Sequence, residues 1–347
     1  MENNYWIVDD WLIFKPEFNK ILTEEDYTVI NSYNKIIFSN YDEPFIPFDF
    51  IENKFIEKDK IIPNEFNNEI DFSNNPNLTH LFLGEYFDNN INLSKNFNLE
   101  YLVFSKRTCF KSHVDIQNNI NLKYLFLGNR YNKHIDLSNN INLEYLILGN
   151  DFNQEINLLN NIKLRYLILG CHFYQEINLS KNINLTHLIF EFYYNQIIDL
   201  SNNINLTYLT FGLKFNQKIN LLNNINLTEL TFKGYFNQEL DIPLNIKNLN
   251  MDKCNNQYLI DNLHNNIEEL TIYQTNLNLD NLPNSIKKLY IHHYDKELNN
   301  LPNSIEYLEL KNYKLKIKKI PKNLKTVKCD DKYKYVNDFK GCEVITN

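Results

Sequence analysis

Apolar residues recur along most of the chain in the spacing apolar-x-x-apolar-x-apolar. The spacing occurs thirteen times, and successive occurrences begin 19 to 23 residues apart. One occurrence would carry little weight, but a regular period of this length is typical of solenoids, in which each repeat is one stacked unit. The thirteen starting residues are Leu78, Leu99, Leu122, Leu143, Leu164, Leu185, Leu206, Leu227, Ile246, Ile267, Ile286, Ile305 and Leu324.

The repeat that begins at Leu143 indicates what one unit builds. Leu146 and Leu148 alternate with Tyr145 and Ile147, and this period of two predicts a strand with the leucines on one side. A polar turn follows the strand. The return path then supplies further apolar residues, which we expect in the core: Phe152, Ile156, Leu158 and Ile162. One unit cannot bury these side chains alone, so neighbouring units must stack and share a core.

The return path is too short for long helices. A unit of 19 to 21 residues is nearly used up by a strand and two turns. Apolar and polar residues alternate again at 135–138 and 198–201, which predicts a short outer strand there. Later units instead have Leu-Pro-Asn-Ser-Ile at 282–286 and 301–305, where proline cannot donate a ladder hydrogen bond and a more irregular path is expected.

The return-path motifs resemble a known repeat family. The sequence Phe-Asn-Gln-x-Ile at 152–156 and 215–219, with the Leu-Pro-x-Ser-Ile joints, resembles the FNIP repeat of slime moulds and amoeba-infecting giant viruses. The spacing also resembles leucine-rich repeats, and the resemblance covers about residues 57–330. The chain departs from the family where Glu or Lys follows Gln in place of Pro, and where Phe173-Tyr174 replaces Phe-Asn. The resemblance implies a solenoid used for binding and brings no catalytic residues.

Period and resemblance together predict the fold class. We expect a leucine-rich-repeat-like right-handed superhelix with a parallel concave β-sheet and little helix on the convex side. Residues 1–56 are predicted to form an N-terminal cap with a short helix starting at Thr23 and a degenerate coil. Residues 57–329 are predicted to form a solenoid of about 13–14 units, and residues 330–347 a C-terminal cap.

Asparagine is unusually abundant in this chain. A genome rich in A and T would favour its codons, which is one explanation. The other is structural, because asparagine tolerates left-handed turns and forms hydrogen bonds with nearby backbone. The sequence leaves both explanations open.

Composition and charge limit the classes of ligand and the cell compartments that we expect for this protein. An apolar fraction of 43% favours a folded chain, and a net charge of −8 argues against a general nucleic-acid binder. The five cysteines form no C-x-x-C pair, which is typical of free thiols in a reducing compartment. The chain shows neither a secretory signal nor an 18-residue apolar run. We therefore expect a cytoplasmic protein, in the host cytoplasm if it is viral, that is not secreted and has no membrane span.

The side of the strands that points away from the core is the candidate site. It should carry two adjacent columns, one mainly aromatic and one mainly aliphatic, and exposed apolar patches usually mark interfaces. The columns turn polar beyond Tyr208. Alternatively, these residues simply favour strands and stack on one another. The thirteen predicted partner-binding residues are His80, Phe82, Tyr101, Val103, Tyr124, Phe126, Tyr145, Ile147, Tyr166, Ile168, His187, Ile189 and Tyr208.

The sequence gives no basis for an enzyme. It has seven glycines and no phosphate-binding loop, its eight histidines have no metal-ligand spacing with cysteines or acids, and no catalytic triad can be argued. We expect no catalytic residues, no cofactor and no metal. A basic run from Lys311 to Lys328 could meet an acidic partner, a phosphate surface or RNA, or it could be a solvated face of a terminal coil.

Three functions are compatible with this pattern. The favoured one is a non-enzymatic protein–protein interaction module that binds a partner, a host protein if the source is viral, on the concave strand face. The second is a substrate-recognition adaptor of a ubiquitin ligase that docks through residues 1–56. The third is a structural or particle-associated protein that self-assembles. The identity of the partner, the oligomeric state and the curvature stay open.

Overall fold

The computed structural model describes residues 4–43, 46, 48–49, 54–55, 62–273 and 276–346. The chain divides into two compact units, unit 1 (Met1–Asn182) and unit 2 (Ile183–Asn347). Each unit is a parallel β-solenoid with very little helix, which confirms the predicted fold class. The worn half-repeat expected near Glu57 lies outside the described residues.

Unit 1 is built on one main sheet. The strand β2 pairs with β1 in antiparallel fashion, and the parallel order β2, β3, β7, β9, β10, β11, β12 follows the chain. Two small sheets accompany it, an antiparallel β4–β5 pair and a parallel β6–β8 pair. The elements are β1 (Tyr5–Val8), β2 (Trp11–Phe14), α1 (Glu24–Ile30), β3 (Lys35–Phe38), β4 (Phe48–Asp49), β5 (Lys54–Phe55), β6 (Ile70–Asp71), β7 (His80–Leu83), β8 (Ile91–Asn92), β9 (Tyr101–Phe104), β10 (Tyr124–Phe126), β11 (Tyr145–Ile147) and β12 (Tyr166–Leu169).

Unit 2 continues the same design. Its strands pair in parallel with their neighbours in chain order, from β13 to β21. The elements are β13 (His187–Phe190), β14 (Tyr208–Phe211), β15 (Glu229–Phe232), β16 (Asn248–Asp252), α2 (Gln257–Asp261), β17 (Glu269–Tyr273), β18 (Lys288–His292), β19 (Tyr307–Lys311), β20 (Thr326–Cys329), a 3₁₀ turn (Val336–Asp338) and β21 (Glu343–Thr346). None of the helices formed by the described residues has the length and apolarity that a membrane crossing needs.

The predicted inward positions of the repeat form the core. Leu143, Leu146 and Leu148 are buried, whereas Tyr145 and Ile147 on the other side of the same strand are only partly buried. The same period of two holds in β12, β13 and β16 to β19, because alternate side chains leave a strand on opposite faces, whereas β2 and β10 are buried on both sides. The pattern therefore determined correctly which side of each strand lies in the core.

Aromatic rings from the return path stack through the core. In unit 1 the ring of Phe152 lies 6.4 Å from that of Tyr131 and 6.3 Å from that of Phe173. In unit 2, Phe215 stacks in the same way between Tyr194 and Phe236. The Phe of the Phe-Asn-Gln motif is thus the residue that joins the interiors of successive coils.

A ladder of buried asparagines holds the coils together at the turn before each strand. The side-chain amide of Asn140 donates to the carbonyl oxygens of Ile116 and Asn119. Equivalent bonds are made by Asn96, Asn119, Asn161, Asn182 and Asn224. In the proline-jointed units Pro283 stands at the ladder position, and the hydroxyl of Ser285, two residues later, donates to the Ile267 carbonyl of the preceding coil at 2.6 Å. The abundance of asparagine therefore has a structural cause.

Two expectations for the return path are wrong. Ile162 is more than half exposed, because the ladder residue Asn161 turns inward and sends its neighbour outward. The outer strands expected at 135–138 and 198–201 do not form. Residues 135–137 and 198–200 belong to no helix or strand, and a turn begins at Ser138 and at Ser201, whose backbone N–H groups donate to the carboxylates of Asp136 and Asp199. A carboxylate two residues before a backbone N–H favours such a turn over an extended ladder.

The terminal segments add atypical elements. Helix α1 begins after Thr23, whose hydroxyl accepts from the backbone of Asp26 while the Asp26 carboxylate accepts in return. At the other end Tyr333 and Phe339 are buried, and β21 pairs with β20 although its four residues are exposed. The boundaries of the two caps stay predictions.

Candidate protein-binding face

The outward side of the main sheet in unit 1, called here the strand face, carries two columns of side chains. Strand pairing sets equivalent residues side by side across the main sheet, that is, across β1, β2, β3, β7, β9, β10, β11 and β12. The first column is Val8, Trp11, Lys35, His80, Tyr101, Tyr124, Tyr145 and Tyr166, and the second is Trp6, Ile13, Ile37, Phe82, Val103, Phe126, Ile147 and Ile168.

The aromatic column is a stacked ladder. His80 stacks on Tyr101 with ring centroids 4.5 Å apart, and the next three steps along the column measure 5.9, 5.7 and 5.8 Å up to Tyr166. Parallel strands place identical side chains about 4.8 Å apart, which brings their rings into contact. Stacking of the tyrosines, the alternative to binding expected from the sequence, therefore does occur.

Four predicted binding residues are buried instead of facing solvent. Phe82, Val103, Tyr124 and Phe126 belong to a cluster with Trp11, Ile13 and Ile37, and all seven are at most 5% exposed. Ile46, which follows β3 in the chain, packs against this cluster. The expectation of solvent exposure is wrong for these four, because they pack in one cluster with Trp11, Ile13 and Ile37, which lie far from them in the sequence.

The far end of the strand face is more open. Tyr145, Ile147, Tyr166 and Ile168 are each partly exposed, and His80 and Tyr101 are also incompletely buried. Tyr145 and Ile147 touch the buried cluster from its edge, so the open part continues the covered part without a break. The structure thus divides the ten predicted residues in unit 1 into a covered group and an open group.

At the covered end of the strand face, burial and neighbouring charges shift the pKa values of His80 and Tyr124. Burial, with a smaller contribution from the Lys35 ammonium, lowers the pKa of His80 to about 4, although Asp10 opposes both effects. Lys35 lies over the Trp11 ring and pairs with Asp10 at 2.8 Å. Burial also raises the pKa of the Tyr124 phenol well above its ordinary value. His80 is therefore a neutral ring in this stack at physiological pH.

Unit 2 holds the other three predicted residues. His187, Ile189 and Tyr208 are partly exposed, and His187 stacks on Tyr208 at 5.6 Å. Beyond them the columns become polar as expected, starting with the exposed Glu229. Farther along, the Lys288 ammonium pairs with Glu269 at 2.5 Å, and Glu309 accepts from Tyr307 and contacts His292 and Lys328.

Half of the eight lysines in the basic run of unit 2 are paired with acids. Lys316, Lys318, Lys325 and Lys328 form ion pairs with Asp338, Glu297, Glu306 and Glu309. Exposed pairs of this kind contribute little to stability, but they weaken the positive field that an acidic partner would need. The arrangement favours the solvated-face interpretation.

Sequence reasoning missed the N-terminal part of the strand face. Trp6, Val8, Trp11, Ile13 and Ile37 extend both columns beyond His80. The available signal was the continuous apolar run Trp11–Phe14, but without a preceding repeat its register on the sheet could not be assigned. Within the described residues no group of three or more His, Cys, Asp or Glu side chains could hold a metal ion.

Comparisons with known proteins agree with this fold. Residues 273–313 match the FNIP Repeat family. CroV588, a circular leucine-rich-repeat protein from a giant virus, is 24% identical with a TM-score of 0.59, over 95% of this chain and 58% of its own. The functional domain of InlJ from Listeria monocytogenes, which includes a cysteine ladder, is 17% identical with a TM-score of 0.56, over 92% of this chain and 74% of its own.

A third similar structure is that of TLR13 in complex with ssRNA13, which is 15% identical with a TM-score of 0.60 over 93% of this chain and 52% of its own. The chain thus spans little more than half of CroV588 and of TLR13. No curated protein matches its sequence. At these identities the likeness establishes the fold alone, a leucine-rich-repeat solenoid.

Proposed function

We propose that this leucine-rich-repeat protein, which contains an FNIP repeat, is a non-enzymatic module that binds a protein partner on the open end of its strand face. The observation that carries the proposal is the partial exposure of Tyr145, Ile147, Tyr166 and Ile168 directly beside the buried cluster. These four side chains form a contiguous apolar patch on a rigid sheet. Such a patch gains free energy when a partner removes it from water, about 25 cal/mol per Å².

The composition of the patch favours a protein partner. Tyrosine supplies a large contact area at low entropic cost and is enriched at binding hot spots. An RNA ligand would instead need a basic field, and this chain carries a net charge of −8. TLR13 was solved in complex with ssRNA13, and binding of RNA by this chain is therefore the competing outcome of the test.

The N-terminal residues fit the role of a cap better than that of a detachable docking segment. Strand β2 pairs with β3, and it contributes Leu12 and Phe14 to the inner core and Trp11 and Ile13 to the covered part of the strand face. Removing these residues would expose apolar surface on both sides of the sheet. This observation favours binding by the strand face over ligase docking through residues 1–56.

The test compares two double variants in unit 1. Tyr145→Ser with Tyr166→Ser removes both open rings, whereas Tyr174→Ser with Tyr86→Ser removes two exposed tyrosines that lie in turns after the strands. A photo-crosslinking residue at Ile147 or at Tyr174 reports direct contact with a partner from cell extract, identified by mass spectrometry.

The proposal expects a protein crosslinked from Ile147 but not from Tyr174, lost in the strand-face variant and kept in the turn variant. Circular dichroism should show both variants folded. Crosslinking to RNA from Ile147, or retention of the same protein partner by the strand-face variant, would contradict the proposal.

A further inference from the structure

A second apolar surface runs along the turns that precede the strands. In the repeated sequence Asn-Ile-Asn-Leu the isoleucine is exposed, and the same position in neighbouring coils makes a column called here the turn stripe. In each unit the stripe contains four consecutive coils, and its side chains are 46% to 68% exposed. Unit 1 contributes Phe97, Ile120, Ile141 and Ile162, and unit 2 contributes Ile183, Ile204, Ile225 and Leu244.

Local hydrogen bonds fix these side chains in the outward direction. Asn140 points into the core, where its amide bonds to the previous coil, and the Leu143 amide donates to the Asn140 carbonyl at 3.0 Å. The Ile141 amide donates to the Asn139 carbonyl at 2.9 Å. With both neighbours held in this way, Ile141 cannot turn inward without breaking the asparagine ladder.

The stripe also has a rigid spacing. The exposed Asn142 donates its side-chain amide to the Ile120 carbonyl at 2.9 Å, and Asn121 donates to the Phe97 carbonyl at the same distance. In unit 2, Asn205 and Asn226 make the same bonds to Ile183 and Ile204. Phe97, Ile120, Ile183 and Ile204 are therefore each tied to the next coil at the spacing of the strands, about 4.8 Å.

We propose that the turn stripe is a self-association surface, on which the stripe of one copy of this chain packs against the stripe of a second copy. The residues that immediately flank the stripe in the sequence are asparagines in most coils, and Lys163 is the one charged residue among them, so the stripe offers little charge to steer a partner of opposite sign. A row of branched apolar side chains at one fixed spacing packs best against a surface whose side chains have the same spacing. The turn stripe of a second copy is such a surface. Identical side chains on such rows interdigitate and exclude water.

The area of the stripe sets the strength of the contact. Four half-exposed apolar side chains offer roughly 350 Å² per unit, which is typical of the largest apolar patch on a protein. This is less than half of the roughly 800 Å² that each partner buries in a stable interface. Self-association is therefore weak and concentration-dependent, with a dissociation constant of about 10 µM to 1 mM. This inference is independent of the proposed binding on the strand face.

Sedimentation velocity over about 5 µM to 1 mM protein tests the proposal. The stripe variant carries Ile120→Ser, Ile141→Ser, Ile204→Ser and Ile225→Ser. The control variant carries Ile7→Ser, Ile21→Ser, Ile197→Ser and Tyr174→Ser, which removes exposed apolar residues outside the stripe. The wild type and the control should self-associate alike, and the stripe variant should weaken association by roughly tenfold or more.

A second measurement does not depend on loss of association. Under mild oxidation Ile141→Cys should form linked dimers at a higher yield than Ile197→Cys, because only position 141 lies in the turn stripe. The five native cysteines are present in both variants, so the two yields can be compared directly. The proposal is overturned if the wild type stays monomeric throughout, or if the stripe variant associates as strongly as the control. A monomeric wild type that floats with phosphatidylcholine vesicles would also overturn it and would identify a lipid surface as the occupant.

Discussion

The side-chain amide of Asn140 lies 2.9 Å from the main-chain oxygen of Asn119, the residue that occupies the same place one coil earlier. The same amide also donates to Ile116 at 3.0 Å, so one side chain satisfies two buried carbonyl groups. Strands are paired by their own backbone, but the turns before them have no such ladder. The asparagine side chains supply the missing hydrogen bonds from coil to coil.

The first prediction concerns this ladder. Asn140→Ala should lower the free energy of unfolding by about 2–4 kcal/mol, because it leaves two buried carbonyls without a donor. Asn142→Ala removes two exposed hydrogen bonds, one donated to the Ile120 carbonyl and one accepted from the Lys163 ammonium, and should cost less than about 1 kcal/mol because water replaces both. Urea denaturation of the two variants measures the difference. Equal losses would mean that the buried bonds are not what holds the turns.

The second prediction concerns the close approach of successive coils after the strands. A Cβ atom at Gly149 would lie 1.9 Å from the carbonyl oxygen of Gly128 in the preceding coil. Backbone cannot move aside as a side chain would, so Gly149→Ala should destabilise the protein by about 3 kcal/mol. Gly341 has a left-handed backbone with open space around its Cβ position, and Gly341→Ala should cost only about 1 kcal/mol. Thermal unfolding of both variants gives the comparison, and similar melting temperatures would contradict it.

The third prediction concerns pH. The pKa of His80 is about 4 in the folded protein and near 6.5 in the unfolded chain. Between these values the unfolded chain binds a proton that the folded protein does not, so stability falls as the pH is lowered from 6.5 towards 4. His80→Phe should reduce this loss of stability, whereas His134→Gln, at an exposed position, should leave it unchanged. Unfolding free energies measured at several pH values test this, and parallel profiles for the wild type and His80→Phe would contradict it.

The fourth prediction concerns Thr210 in unit 2. Its side chain is buried, and its hydroxyl has no hydrogen-bond partner among the described residues. Because valine has the same shape without a polar atom to desolvate, Thr210→Val should leave stability unchanged or raise it by about 1 kcal/mol. The exposed Thr28→Val is the matched control, and it should not stabilise. A clear loss of stability in Thr210→Val, measured by urea denaturation, would show that the hydroxyl is satisfied in solution.

The pattern of apolar and polar residues within single repeats predicted most of the fold. The period of two placed Leu146 and Leu148 inside and Tyr145 and Ile147 outside, and the structure confirms this. The pattern failed at Ile162, where hydrophobicity indicated the core but hydrogen bonds decide the direction of the side chain. It could not foresee the ladder, because the bonds of Asn140 join residues in different coils.

The sequence by itself determined which side of each strand every residue occupies, since that depends only on the alternation of neighbours along the strand. It could not determine which outward residues remain open to a partner. Tyr124 and Tyr145 stand at the same position of successive strands, yet Tyr124 is buried and Tyr145 is partly exposed. Trp11, Ile37 and Ile46, distant in the sequence, belong to or pack on the cluster that contains Tyr124. Only the tertiary structure decides this, because coverage depends on contacts between segments whose separation along the chain carries no repeating signal.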